Sequence, residues 1–239
     1  MRPVIYVGTS GWSYVWNPDG LEWYARLSGL NAVELNMSFY SYPRARQVER
    51  WSRIGGNLRW AVKVHRSITH LRKLGEGCER AWKTFKSRFH PLEREGLLDF
   101  YLFQLPPRLV PSPRLLRRVK RFAEELGERM ALEPRNVEWL REDVINALRD
   151  FGATMVSVDA PEFRWLVRTS NSVYLRMHGR TAWYAHRYSK EELRSVAVKA
   201  LSLGADRLYV FFNNDHDMLD NAREMLALLG SLGGVGAVS

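Results

Sequence analysis

The sequence predicts a single α/β domain of the (β/α)8 TIM-barrel class, and three observations carry that prediction. Eight short apolar runs recur along the 239 residues, most of them closing on polar side chains or on a Gly- or Pro-containing turn. Runs so short and so continuously apolar read as strands buried on both faces, which belong to parallel sheets covered by helices. Segments with apolar residues at helical spacing separate nearly all of them, in about the length a minimal eight-unit barrel needs. No shift of composition or linker marks a second domain, so one domain over residues 1–239 is expected. A doubly wound open sheet is the alternative, weakened because the first turn lacks G-x-G-x-x-G.

The elements follow in order. Val4–Val7 is the first strand, closing on Gly8-Thr9-Ser10-Gly11-Trp12, where glycines permit close backbone approach. A helix over Leu21–Leu30 leads to strand Ala32–Leu35, and Pro43 opens a helix ended by Gly55-Gly56. Strand Trp60–Val64 precedes a polar loop, His65–His70, and a helix over Glu79–Arg94. Strand Leu98–Leu105 ends at Pro106-Pro107, and Ser112-Pro113 caps a basic helix from Arg114 to Leu126. Met130–Leu132 is followed by a helix over Val137–Phe151, and Thr154–Val158 by a segment, Ala160–Asn171, too short for a full helix. The sixth unit is therefore expected to be irregular. Strand Ser172–Met177 is followed by a helix with a capping box, Ser189 with Glu192. Strand Leu208–Phe212 precedes a last helix over Met218–Leu229, and Gly230–Ser239 reads as a frayed, Gly-rich tail.

Composition bounds the function. The net charge of +10 suits an anionic partner, a small molecule or nucleic acid, although seven lysines against 29 arginines equally fit genome composition or a thermophilic habitat. The single cysteine, Cys78, excludes an internal disulfide and a Cys-rich metal site. With the first strand opening at Val4 no leader is expected, and no apolar run approaches the roughly 20 residues of a membrane span. A cytoplasmic protein without a membrane partner is the expectation; composition leaves the oligomeric state open.

Side chains alternate along a strand, so residues two apart share a face. At that spacing the strand ends give Glu34 with Asn36, Lys63 with His65, Glu133 with Arg135, Arg176 with His178, and Asn213 with Asp215. Gln104 and Asp159 end two further strands. If these positions point inward they converge at the barrel mouth, where isolated charges would each cost several kcal/mol unless paired or met by ligand. The structural alternative is a packing layer, with Glu34 and Lys63 as a buried ion pair.

The same residues carry a family resemblance. The runs Gly8–Trp12, Val33–Tyr40, Lys63–His70, Phe103–Pro107, Arg176–Arg180 and Phe211–Asp215, with Asn221-Ala222, resemble the YecE-like family of unknown function (domain of unknown function 72). The resemblance spans nearly the whole chain and implies a TIM barrel with its site at the strands' C-terminal ends, but no reaction. Met37, Met177 and His65 stand where that family more often has Ser, Leu and Pro, and Asn136 stands where His is common.

Three function classes follow. In the first, a phosphodiesterase-like hydrolase acts on a phosphate-containing substrate. Glu34 or Glu133 activates water, His178 is the acid–base, Lys63 and Asp215 complete the catalytic set, and Arg135, Arg176 and Arg180 hold the anion. Trp12, Asn36, Tyr40, His70, Gln104, Asp159, Tyr184 and Asn213 would contact the substrate. No cofactor is identified; a divalent metal is compatible by fold analogy, but no compact ligand motif such as H-E-x-x-H supports it. The second class binds nucleic acid without chemistry, using the basic helix Arg114–Arg121 and loop aromatics Trp12, Tyr14, Trp16, Trp183 and Tyr184. The third is a sugar or small-acid isomerase or lyase with Lys63 as base or Schiff-base amine, a role that neighbouring carboxylates are expected to oppose by keeping the amine protonated.

Overall fold

Residues 2–233 are described by a computed structural model. The strands are β1 (Val4–Ser10), β2 (Ala32–Leu35), β3 (Arg59–Lys63), β4 (Leu98–Gln104), β5 (Met130–Glu133), β6 (Thr154–Asp159), β7 (Arg164–Trp165), β8 (Ser172–Met177) and β9 (Arg207–Phe212). They pair in the order β5-β4-β3-β2-β1-β9-β8-β6, and a β5–β6 pairing closes the ring. All eight are parallel, and β7 adds only a short antiparallel pair on β6. The helices are α1 (Gly20–Leu27), α2 (Ala45–Ile54), α3 (Cys78–Arg88), α4 (His90–Arg94), α5 (Pro113–Leu126), α6 (Glu142–Asp150), α7 (Lys190–Ser202) and α8 (Met218–Gly233).

Several boundaries differ from the sequence reading for local reasons. β1 runs three residues further than expected, to Ser10. A Cβ at Gly8 would lie 2.1 Å from the Ala32 carbonyl oxygen, so only glycine lets β1 pass this close to β2. The helix expected over 79–94 breaks at Phe89 into α3 and α4, with Pro91 at the start of the second. That expected over 137–151 is a 3₁₀ turn, Val137–Leu140, then extended Arg141, then α6. Inside the polar loop after β3, Ser67–Leu71 forms a π-helical turn. The sixth unit has no helix between β6 and β8, as its length predicted. Helix α8 continues through Gly233, so residues 230–233 are not a frayed tail, and 234–239 lie outside the described residues.

Between strand ends, the barrel is filled by rings. Phe100 packs edge-on against Tyr174 and Tyr209 with centroids 5.1 and 4.9 Å apart, and Tyr174 meets Phe211 at 5.0 Å. All four are at most 2% exposed, and burying such a ring contributes about 1.5–3 kcal/mol. This layer seals the interior beneath the C-terminal ends of the strands. Among the described residues no helix is long and apolar enough to cross a membrane.

Candidate functional site

Register decides which polar ends meet. Ser10 lies beside Glu34, and Glu34 beside Ala61, two residues before Lys63. Gln104 lies beside Glu133, while Arg176 lies between Val158 and Phe211. Neighbours in register share a face, so Ser10, Glu34, Lys63, Gln104, Glu133 and Arg176 all point inward, one layer above the rings.

Arg176 is the centre. It is fully buried and bridges two fully buried carboxylates, donating from NH2 to Glu34 Oε1 and from NH1 to Glu133 Oε2, both at 2.6 Å. Glu34 also accepts from Ser10 Oγ and from Tyr174 OH, each at 2.6 Å. Glu133 Oε1 lies 2.9 Å from Arg135 NH2 and 3.2 Å from His178 Nε2. Burial alone would raise the Glu133 pKa, but Arg135 and Arg176 hold it well below the usual carboxylate range. Burial and then Arg176 push His178 down to about 3, so its imidazole is neutral at pH 7. Its Nδ1 lies 3.3 Å from Asn213 Nδ2, and its Nε2 faces both the Glu133 carboxylate at 3.2 Å and the Arg135 guanidinium at 3.3 Å.

Lys63 stands apart in this layer. Among the described residues its amine makes no hydrogen bond or ion pair; it lies 4.4 Å from the centroid of the Phe39 ring. Burial, and secondly Arg176, lower its pKa to about 7 against the opposing pull of Glu133 and Glu34. This corrects the expectation that carboxylates keep it protonated: the two arginines already claim them. The buried Glu34–Lys63 ion pair does not form either. Nearby, burial, then Lys63 and Arg135, depress His70 to about 4.

Above this layer a cavity of about 320 Å³ is lined by His70, Gln104, Arg135, Phe163, Trp183 and Tyr184, among others. The Arg135 guanidinium lies 4.6 Å from the Trp183 ring centroid, and its side chain is 8% exposed. On the other side of the mouth Tyr14, whose hydroxyl donates to the Ser10 carbonyl, is raised to about 12 by burial, then by Glu34 and Asp215. A larger cavity, about 820 Å³, lies away from the strand ends, between α3 and α5 around Trp82 and Phe122.

Other expected residues lie elsewhere. Asp159 is in register with Met177 rather than Arg176, so it faces outward; Arg180 chelates it and Tyr188 OH donates to it at 2.9 Å. The pair thus fastens the loop after β8 to the end of β6, and Arg180 also reaches Glu192 of α7. Asp215 follows the end of β9, adopts a left-handed φ of 57° and pairs with His216, so the shared face with Asn213 is lost. Trp12 is buried edge-on against Trp51 and Trp60, and Tyr40 is 67% exposed beside Phe39; neither lines the cavity. Asn36 caps a 3₁₀ turn with its side-chain oxygen buried and unpartnered. Asn214 donates to the His186 carbonyl and to Asn221, bracing the loop. His186 is partly buried and lies 3.0 Å from Glu192. In the basic helix, Arg118 and Arg121 donate to the carbonyls of Lys73 and Leu74, two residues with positive φ. Sequence reasoning missed Ser10 and Tyr174, although Tyr174 shares the parity of Arg176.

The carboxylates that a metal would need are engaged with arginine, and among the described residues no group of three or more His, Cys, Asp or Glu is arranged to hold an ion. The layer instead combines fixed cations, neutral imidazoles and one unpartnered amine. That set can bind an anion and move protons.

Comparison with known proteins agrees with the architecture. A curated relative, UPF0759 protein YunF of Bacillus subtilis, is 25% identical over 268 residues, covering 95% of each chain. A DUF72 family protein of Thermotoga maritima superposes with a TM-score of 0.84 at 29% identity, covering 95% of this chain and 99% of that one. One from Enterococcus faecalis gives 0.83 at 21% identity, covering 95% and 96%. The family described as protein of unknown function DUF72 matches residues 6–236, and the chain belongs to it.

Proposed function

We propose that the chain is an enzyme acting on a small organic anion at the barrel mouth. Arg135 receives the substrate's carboxylate or phosphate, and Lys63 is the group that takes or gives a proton. The observation that carries this reading is the Lys63 amine, partly exposed at the end of β3 beside two arginines, without an ion pair and with a pKa near 7. A base is most effective when its pKa lies near the working pH. The cavity's aromatic walls, Phe163, Trp183 and Tyr184, suit a small carbon skeleton.

The hydrolytic version that uses Glu34 or Glu133 to activate water is less well supported. Both carboxylates are 0% exposed, and every oxygen already accepts from a neighbour. A phosphate-bearing substrate stays within the proposal; the water-activating carboxylate does not.

Thermal melts with inorganic phosphate, pyruvate and glycolaldehyde phosphate test the reading. At least one probe is expected to raise the melting temperature of the wild type, and Arg135→Gln to lose most of that rise. No shift with any probe, or a shift untouched by Arg135→Gln, would overturn it.

A second reading, single-stranded nucleic acid on the outer surface, is favoured by α2. Arg46, Arg50 and Arg53 lie at i, i+4 and i+7, all exposed and without an ion pair among the described residues. Salt-sensitive binding of an oligonucleotide, weakened by replacing these three with Gln, would support it. Absence of binding at low salt would remove it.

A further inference from the structure

We infer that Lys63 is a nucleophilic amine that forms an imine with the substrate, so that the substrate is a small aldehyde or ketone bearing a carboxylate or phosphate. This inference rests on the mouth being the active site.

Three features of the layer lead to it. Lys63 is the last residue of β3, so a rigid strand rather than a loop fixes where its side chain leaves the backbone. Its amine makes no hydrogen bond or ion pair among the described residues, and the two carboxylates of the layer are engaged by other groups. Glu34 is taken by Ser10, Tyr174 and Arg176, and Glu133 by Arg135, Arg176 and His178. With two carboxylates already met by Arg135 and Arg176, a protonated Lys63 would be the surplus positive charge of a buried layer. Losing that proton relieves the layer, in keeping with the lowered pKa. A desolvated, cation-flanked lysine is the pattern of amine nucleophiles.

The lone pair that a nucleophile needs is left free by this arrangement. The Phe39 face at 4.4 Å packs against the amine without engaging that lone pair in a hydrogen bond. The step balances without an oxidant or reductant. The Nζ lone pair forms a bond to the carbonyl carbon, giving a carbinolamine. Both amine hydrogens then leave with the carbonyl oxygen as water, and a C=N bond remains. Protonation makes the imine cationic, and the substrate's own anionic group, held at Arg135, offsets that charge. A neutral carbonyl compound would lack this compensation, which is why the substrate class includes the anion.

Reductive trapping tests it. The full chain is incubated with pyruvate or glycolaldehyde phosphate near pH 7, treated with cyanoborohydride and mapped by peptide mass. Lys63 is expected to carry the reduced adduct at about tenfold or more over the mean of the other six lysines. Lys63→Arg should abolish the site-specific adduct, and acetone, which lacks an anion, should label Lys63 far less. Even labelling of all lysines, or none at Lys63, overturns the inference. If Lys63 is unlabelled but phosphate or pyruvate still stabilises the protein through Arg135, the imine fails while the anion-binding mouth stands. If neither adduct nor stabilisation occurs, both fail. Lys63→Gln, melted in parallel, shows whether loss of the adduct reflects the amine or the fold.

Discussion

Arg176→Met is the sharpest perturbation of the buried layer. Glu34 and Glu133 are both 0% exposed, and Arg176 bridges them with two donations of 2.6 Å. Removing one partner of a buried ion pair costs about 3–5 kcal/mol, because a charge is left without compensation. The loss here falls mainly on Glu34, which would keep only the Ser10 and Tyr174 hydroxyls, while Glu133 keeps Arg135 and His178. We therefore expect a destabilisation of about 3–5 kcal/mol at pH 7, a large part of the 5–15 kcal/mol typical of a domain. Protonating a carboxylate removes the charge that has lost its partner, so the gap to wild type narrows on acidification. A double variant, Glu34→Gln with Arg176→Met, removes the stranded charge together with its partner, leaves Glu133 with Arg135 and His178, and should recover to within about 2 kcal/mol of wild type. Urea unfolding followed by tryptophan fluorescence measures all of this. A single Arg176→Met variant within about 1 kcal/mol of wild type at pH 7 would refute the view that these carboxylates depend on a desolvated partner.

Two further predictions concern titration. The folded pKa of Lys63, about 7, lies below its usual 10.5, so its burial penalty is full below pH 7 and fades as pH rises from 7 to 10.5. Lys63→Met should therefore stabilise the protein by about 2–4 kcal/mol at pH 6, allowing for the partial solvent exposure of the residue, and by less at pH 9; no gain in urea unfolding at pH 6 would count against the desolvated amine. His178 and His70, depressed to about 3 and 4 from 6.5, must take up protons on unfolding. Stability should be intact above pH 6.5 and fall as pH drops toward 4, with a slope approaching about 2 kcal/mol per pH unit that His70→Gln reduces; a flat profile over that range would contradict two neutral imidazoles.

Strand parity carried the reading of the site as far as the strands themselves extend. Glu34, Lys63, Glu133 and Arg176 are the last or next-to-last residues of regular parallel strands, and all four point into one layer. His178, just past β8, still follows that parity and meets Glu133. Parity failed at Asp215, because β9 ends at Phe212 and the chain then turns through a left-handed residue. It failed differently at Asp159. All six residues of β6 are buried, so nothing in that run tells the barrel face from the helix face until the register with β8 is known. Trp12 was ambiguous because an aromatic after a glycine turn serves equally as a lid or as packing, and three indoles settled on packing. Ser10 and Tyr174 went unread because a hydroxyl inside an apolar run looks like strand filler. Only Glu34 as a neighbour gives them a role. The fold was legible for a simpler reason: eight apolar runs separated by helix-length segments leave few topologies open.

The unpartnered atoms sharpen what the mouth is for. A buried polar atom without a partner costs about 1–3 kcal/mol, and folds rarely retain several in one place. Arg135 Nε, Arg176 Nε and Asn36 Oδ1 are all buried without a protein partner, on three of the strand ends that form the mouth. Two are donors aimed from fixed guanidinium groups and one is an acceptor. An inert ion-pair layer would close such valences internally, as the outward pair of Asp159 and Arg180 does with Tyr188 and Glu192. The two layers use the same residue types, yet only the inner one leaves donors, an acceptor and an amine unmatched. That difference, more than the number of charges, supports the proposal that the mouth receives a ligand.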